Sequence, residues 1–223
     1  MGAKTWMLVY ADVDAREALK AKTPLDRKAT LELAASLFPG EKLAPIGDGD
    51  LSYTCPPDDE LHIGSFPGVS IVAAKEFGID YPSKLPQTFI AAGEGRAIYL
   101  HAMHSVVDWA AFAKWENGRL LRSLSLSPDS GILEDVGQRL TFEEPFWSGQ
   151  YPVSDDDEEY KYPLPFHPLE LGEAALREFF GYQLEGFVDQ TMLEPQSIPL
   201  IRYRRTGRGL FSQLIAKFRK KKL

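Results

Sequence analysis

A single cysteine, Cys55, in 223 residues excludes any disulfide within the chain and fits a reducing compartment. Only four histidines are present, so an imidazole-rich metal centre has few ligands to draw on. Long hydrophobic runs are lacking as well. The apolar stretch from Trp6 to Ala11 stops at Asp12, too short for a signal-peptide core or a membrane span. Gly2 is not followed by the Ser or Thr of a myristoylation signal, because Trp6 stands at that position. These absences predict a cytoplasmic protein without a lipid anchor. The phosphate-cradling Gly loop, the G-x-S-x-G elbow and the H-E-x-x-H helix are all missing too.

What is present is an ordinary globular composition. Apolar residues make up 44% and charged residues 26%, enough to bury a sizeable core. Thirteen Phe, nine Tyr and four Trp argue against disorder over most of the length. The net charge of −7 is unevenly spread. Nine basic residues and no acidic one lie between Arg202 and Leu223; removing these nine from 25 leaves 16 basic against 32 acidic residues. The acidic body disfavours nucleic acid, whereas the tail attracts polyanions.

The run Thr5 to Ala11 predicts a buried strand. A helix follows, started by Pro24 and Asp26, with Leu25, Ala29, Leu33 and Leu37 at four-residue spacing and Pro39-Gly40 as its stop. Residues 41–62 read as loop with short strands. Strands are expected at 61–64 and 69–74, joined by Ser65-Phe66-Pro67-Gly68, and a short helix at 85–92. Asn117-Gly118 predicts a hairpin between 107–115 and 119–127, because both residues tolerate positive φ. The acidic tract Asp155 to Glu159 reads as a solvated loop. Helix is expected over 169–182 and a last strand over 198–203. The predicted fold is α+β, a mostly antiparallel sheet with helices packed on one face. One domain over 1–206 carries an appended helix over 207–223.

That tail is the most legible feature. Leu210, Phe211, Leu214, Ile215 and Phe218 fall on one helical face. Arg208, Lys217, Arg219, Lys220, Lys221 and Lys222 supply the charge. With Phe211 and Phe218 they are the expected contacts to an anionic membrane surface or an acidic protein partner. The bland alternative is an apolar face docked on its own domain with the lysines in solvent.

Chemistry-bearing side chains are sparser. His101, His104 and Asp108 could hold a divalent metal, but in a straight strand the two imidazoles point to opposite faces. Asp12 and Asp14 follow a strand directly. This resembles the way haloacid-dehalogenase-type phosphatases place a nucleophile and a general acid around magnesium. Here, though, Arg16 replaces the usual Thr or Val, and β and α do not alternate. An Asp at such a position also caps helices. No cofactor is predicted from these residues beyond that divalent metal.

Several stretches together carry a likeness to a known family. They are Gly64-Ser65-Phe66-Pro67-Gly68-Val69, the run His101 to Trp109, Arg122 to Pro128, and Tyr162-Pro163-Leu164-Pro165-Phe166-His167-Pro168-Leu169-Glu170. With the opening Met1 to Thr5, they resemble a family of uncharacterised bacterial proteins, common in actinobacteria, over roughly residues 1 to 190. The resemblance assigns no activity and no catalytic residue, and the basic tail lies outside its pattern. The leading expectation is a non-enzymatic binding domain acting through the tail. The rival is a metal-dependent hydrolase using Asp12, Asp14, His101, His104 and Asp108.

Overall fold

The computed structural model describes residues 2–153, 162–187 and 189–206. The acidic tract at 155–159 and the expected helix over 207–223 lie outside the described residues.

The run that opens the chain becomes β1 (Lys4–Ala11). Its Met7, Val9 and Ala11 enter one hydrophobic cluster while Leu8 and Tyr10 enter another. Side chains alternate along a strand, so β1 is buried on both faces, which is why its sequence reads as an unbroken apolar run. Two helices follow, α1 (Ala15–Lys20) and α2 (Arg27–Leu37). Asp26 caps α2 by accepting the Ala29 N–H at 2.9 Å, as its place ahead of the apolar pattern predicts. The chain continues through β2 (Lys42–Asp50), β3 (Glu60–Phe66), β4 (Val69–Ala73) and α3 (Gln87–Ala91). Then come β5 (Ala97–His104), β6 (Trp109–Glu116), β7 (Arg119–Ser127) and β8 (Gly131–Gly137). Finally α4 (Glu144–Trp147) and α5 (Pro168–Phe180) precede β9 (Pro199–Thr206).

The strands form one sheet in the order β2-β9-β3-β4-β1-β5-β6-β7-β8. Every neighbouring pair is antiparallel. At the β6–β7 hairpin Asn117 and Gly118 take φ of 50° and 72°, the left-handed pair that a two-residue turn requires.

Helices cover both faces, not one. Ala34 and Leu37 of α2 and Phe89 and Ile90 of α3 pack with Leu8, Tyr10, Ile98 and Leu100. On the other face Ala15 and Leu19 of α1, Phe146 of α4, and Leu171, Ala175 and Phe179 of α5 pack with Met7, Val9, Phe112 and Leu124. The two-sided burial of β1, β3 and β4 demands this second layer, since a bare face would leave half of those apolar side chains in water. Helix α5 comes close to the sheet because Gly172 has no side chain. A Cβ there would lie 2.8 Å from Met103 Sδ and 3.3 Å from Ala110 Cβ. Its Phe179 ring meets Tyr99, Phe112 and Phe142 at 5.0, 5.9 and 5.6 Å between centroids. Such ring pairs each contribute about 0.5–1.5 kcal/mol beyond area burial.

Helix α1 was not among the expected elements, and Asp14 explains it. The Asp14 carboxylate accepts the Arg16 and Glu17 N–H groups at 2.9 and 3.4 Å. Replacing Asp14 with alanine is expected to cost about 1 kcal/mol, read as a lower urea midpoint at unchanged slope.

Candidate functional site

The sheet register decides whether the side chains proposed for chemistry can meet. In the β1–β5 pairing Lys4 faces His104, Met7 faces His101 and Ala11 faces Ala97. Asp12 therefore lies beyond the end of β1 opposite to His104. Seven residues of strand separate these ends, roughly 23 Å at about 3.3 Å per residue. His101, five residues short of Asp12, is about 16 Å away by the same reckoning. The two histidines also sit on opposite faces, as a spacing of three in a strand dictates. Among the described residues no group of three or more His, Cys, Asp or Glu side chains is placed to hold a metal ion. The five candidates are thus not brought together.

Each is engaged locally instead. Asp12 pairs with Arg96 Nε at 3.0 Å, and Arg96 also donates to the Tyr10 carbonyl at 3.1 Å. Asp14 caps α1 and pairs with Arg16 at 2.8 Å, a bond that holds its carboxyl below the usual range. Both aspartates border one polar hollow with Tyr99 and Glu116, and Asp14 borders a second with Tyr99 and Lys114; Lys114 Nζ lies 2.8 Å from Glu116. The ring nitrogen Nδ1 of His104 accepts the Val106 N–H at 3.3 Å. Asp108 lies in the β5–β6 connection with φ of 45°, its carboxylate 3.7 Å from Nε2 of His167, the residue that caps α5. The Cys55 thiol is buried, and burial pushes its pKa up, away from the reactive thiolate.

His101 is the most constrained of the set. It is fully buried between β1 and α5. Its Nε2 lies 2.9 Å from the Gly172 carbonyl and its Nδ1 2.7 Å from the Thr5 hydroxyl. A carbonyl only accepts, so Nε2 carries the proton and Nδ1 accepts from Thr5. Burial disfavours the imidazolium and depresses the pKa from 6.5 to about 4. In the unfolded chain the ring takes up a proton near pH 6.5, and in the folded chain only near pH 4. Its contribution is therefore present above pH 6.5 and lost as pH falls toward 4. The loss is about 3 kcal/mol. Glu173 acts oppositely over part of this window, because burial raises its pKa to about 7. Subtraction isolates the histidine: wild-type stability should fall relative to His101→Gln by that amount between pH 6.5 and 4 in urea titrations.

The basic run near the C-terminus divides at Thr206. Arg202 and Arg204 both reach Glu60, at 3.1 and 2.9 Å, and Arg204 also reaches Asp59 at 3.0 Å. Buried Arg205 lies between Glu41 at 2.7 Å and Glu76 at 2.8 Å, stacked over the Phe38 ring at 4.5 Å. These three cations belong to the body, and the sequence alone did not separate them from the rest. Six remain beyond Thr206: Arg208, Lys217, Arg219, Lys220, Lys221 and Lys222. Residues 1–206 then carry 19 basic against 32 acidic residues, a net charge of −13.

Comparison with known proteins gives a family and little chemistry. Residues 5–203 match a family described as a family of unknown function (DUF6928). The chain is also 28% identical over 146 residues to the probable inorganic carbon transporter subunit DabA of Salinibacter ruber (strain DSM 13855 / M31). That likeness covers 59% of this chain but only 16% of the transporter subunit. No solved structure matches the chain.

Proposed function

The chain belongs to the DUF6928 family of unknown function, and from that premise we propose a binding domain that docks on an anionic membrane surface through residues 207–223. One observation carries this reading. The cations of β9 are each matched by body carboxylates, whereas the sequence beyond Thr206 brings six cations and no acidic residue. The apolar positions Leu210, Phe211, Leu214, Ile215 and Phe218 recur at helical spacing beside that charge, the chemistry of a segment lying in a lipid interface. Each cation near such a surface contributes about 1 kcal/mol. The body, at −13, is repelled by the same surface, which leaves the tail as the point of contact. Among the described residues no helix is long and apolar enough to cross a membrane.

The test is co-sedimentation of the full chain with vesicles of phosphatidylcholine alone and of phosphatidylcholine with phosphatidylserine. Binding is expected only with the anionic lipid, and it should weaken as salt rises, because the charges are screened beyond about 8 Å at physiological ionic strength. Equal partitioning to both vesicles, or to neither, would overturn the reading. In the second case an acidic protein groove takes its place as the target.

A further inference from the structure

A cavity of about 740 Å³ opens between the N-terminal half of α5 and the loop that follows it. The volume lies within the range of small-molecule sites. Nothing in the family or the transporter similarity assigns it a role, and its lining residues all precede the tail in sequence. We propose that it binds an organic cation, an ammonium or guanidinium group carried on an apolar stem.

The walls carry the argument. The rings of Phe146, Tyr151 and Phe187 line the space, with the His167 imidazole beside them. Phe146 and Tyr151 lie 4.8 Å apart between centroids and form one aromatic side. Phe187 is 85% exposed, so its ring is accessible to a ligand at the cavity. Aromatic faces attract cations, and quaternary ammonium groups are recognised this way. The opposite side is acidic. Among the described residues Glu170 and Glu173 on α5 and Glu185 and Asp189 on the loop border the cavity, against the basic side chains of Arg177 and His167.

Glu173 is the anchor. It accepts the Leu184 N–H at 2.8 Å and the Glu185 N–H at 3.2 Å, so its carboxylate is fixed at the cavity wall by the loop it holds. Burial makes its charged form costly, and the neighbouring Glu185 adds to that, while the two N–H groups and Arg177 oppose it. A cation inside the cavity supplies the countercharge that burial withholds. An anion would meet four carboxylates, and a neutral ligand would bring no countercharge to them. Gln183 stiffens the loop by donating to the Phe187 carbonyl.

Two sources offer this chemistry: a free amine, or the Lys and Arg side chains of residues 208–222 of the chain itself. Titration calorimetry on the full chain uses three probes of one shape: phenethylammonium, 2-phenylethanol and phenylacetate. The ammonium is expected to bind, with the alcohol and the carboxylate at least tenfold weaker. Glu173→Gln should lose about tenfold or more, the scale of a hydrogen bond to a charged group. Phe187→Ala, at an exposed position where the fold is not at stake, should lose about two- to fivefold. A full chain with its six tail cations changed to Gln separates the sources. Tighter binding than wild type means that the tail's own cations occupy the cavity; equal binding means that a free amine does. The proposal is overturned if the three probes bind alike, if both cavity variants bind as wild type, or if neither tail form binds the ammonium at millimolar concentration. Vesicle binding is read separately, so failure here leaves the membrane reading standing and the reverse also holds.

Discussion

Replacing Arg122 with alanine is expected to remove about 3–5 kcal/mol of folding stability, the scale seen when one partner of a buried ion pair is deleted. Arg122 and Glu143 are both completely buried. Two parallel bonds join them, Nε to Oε1 at 2.8 Å and Nη2 to Oε2 at 2.7 Å. The remaining guanidinium nitrogen pairs with Asp135 at 2.5 Å and donates to the Ser123 and Val136 carbonyls at 3.3 and 3.1 Å. Glu143 in turn accepts the Leu140 N–H at 2.8 Å. The pair thus ties β8 and the segment leading into α4 onto β7. Without the arginine the Glu143 carboxylate is left charged in an apolar interior, and that orphaned charge, more than the lost contact, sets the cost. Domains of this kind hold about 5–15 kcal/mol in total, so the variant should sit near its unfolding midpoint in modest urea. The double variant Arg122→Met with Glu143→Leu removes both charges and should lose less than the single one. Urea unfolding followed by tryptophan fluorescence measures both; a single-variant loss under about 1 kcal/mol would contradict the account.

Local signals in the sequence were strong where the chemistry is local. Asn117-Gly118 marked its hairpin because few other pairs accept two positive φ values. Asp26 marked the start of α2; the expected helix over 169–182 ran past its true end, since Gly181, with φ of 79°, closes α5 at Phe180. The spacing of His101 and His104 already placed them on opposite faces. What stayed hidden depends on distant partners. The alternation of Leu124 and Leu126 with Ser123, Ser125 and Ser127 reads as one buried and one wet face, yet all five are buried. Their second face is closed by groups remote in sequence: Trp109 donates to Ser125 at 3.0 Å, and Ser123 bonds to Glu134, which also holds Ser83. Strand β2 was masked by its own composition. Pro45 and three nearby residues, Gly47, Asp48 and Gly49, read as loop, but β2 is an edge strand, where a missing N–H is harmless, and it bulges between Pro45 and Gly47. The cavity beside α5 was not legible because Glu170 and Glu173 meet Phe146, Tyr151 and Phe187 there only through the tertiary fold.

The tail carries the largest expected effect. Six cations at about 1 kcal/mol each give roughly 6 kcal/mol of attraction to an anionic surface, about four orders of magnitude in affinity. The measurement is vesicle co-sedimentation of the full chain with Arg208, Lys217, Arg219, Lys220, Lys221 and Lys222 all changed to Gln, beside the wild type. The body is untouched, since Arg202, Arg204 and Arg205 keep their carboxylates, and the urea midpoint should match wild type. The account predicts that the wild-type chain pellets with phosphatidylserine vesicles while the variant stays in the supernatant. A variant that pellets as well as wild type would contradict it and place the contact on the folded body.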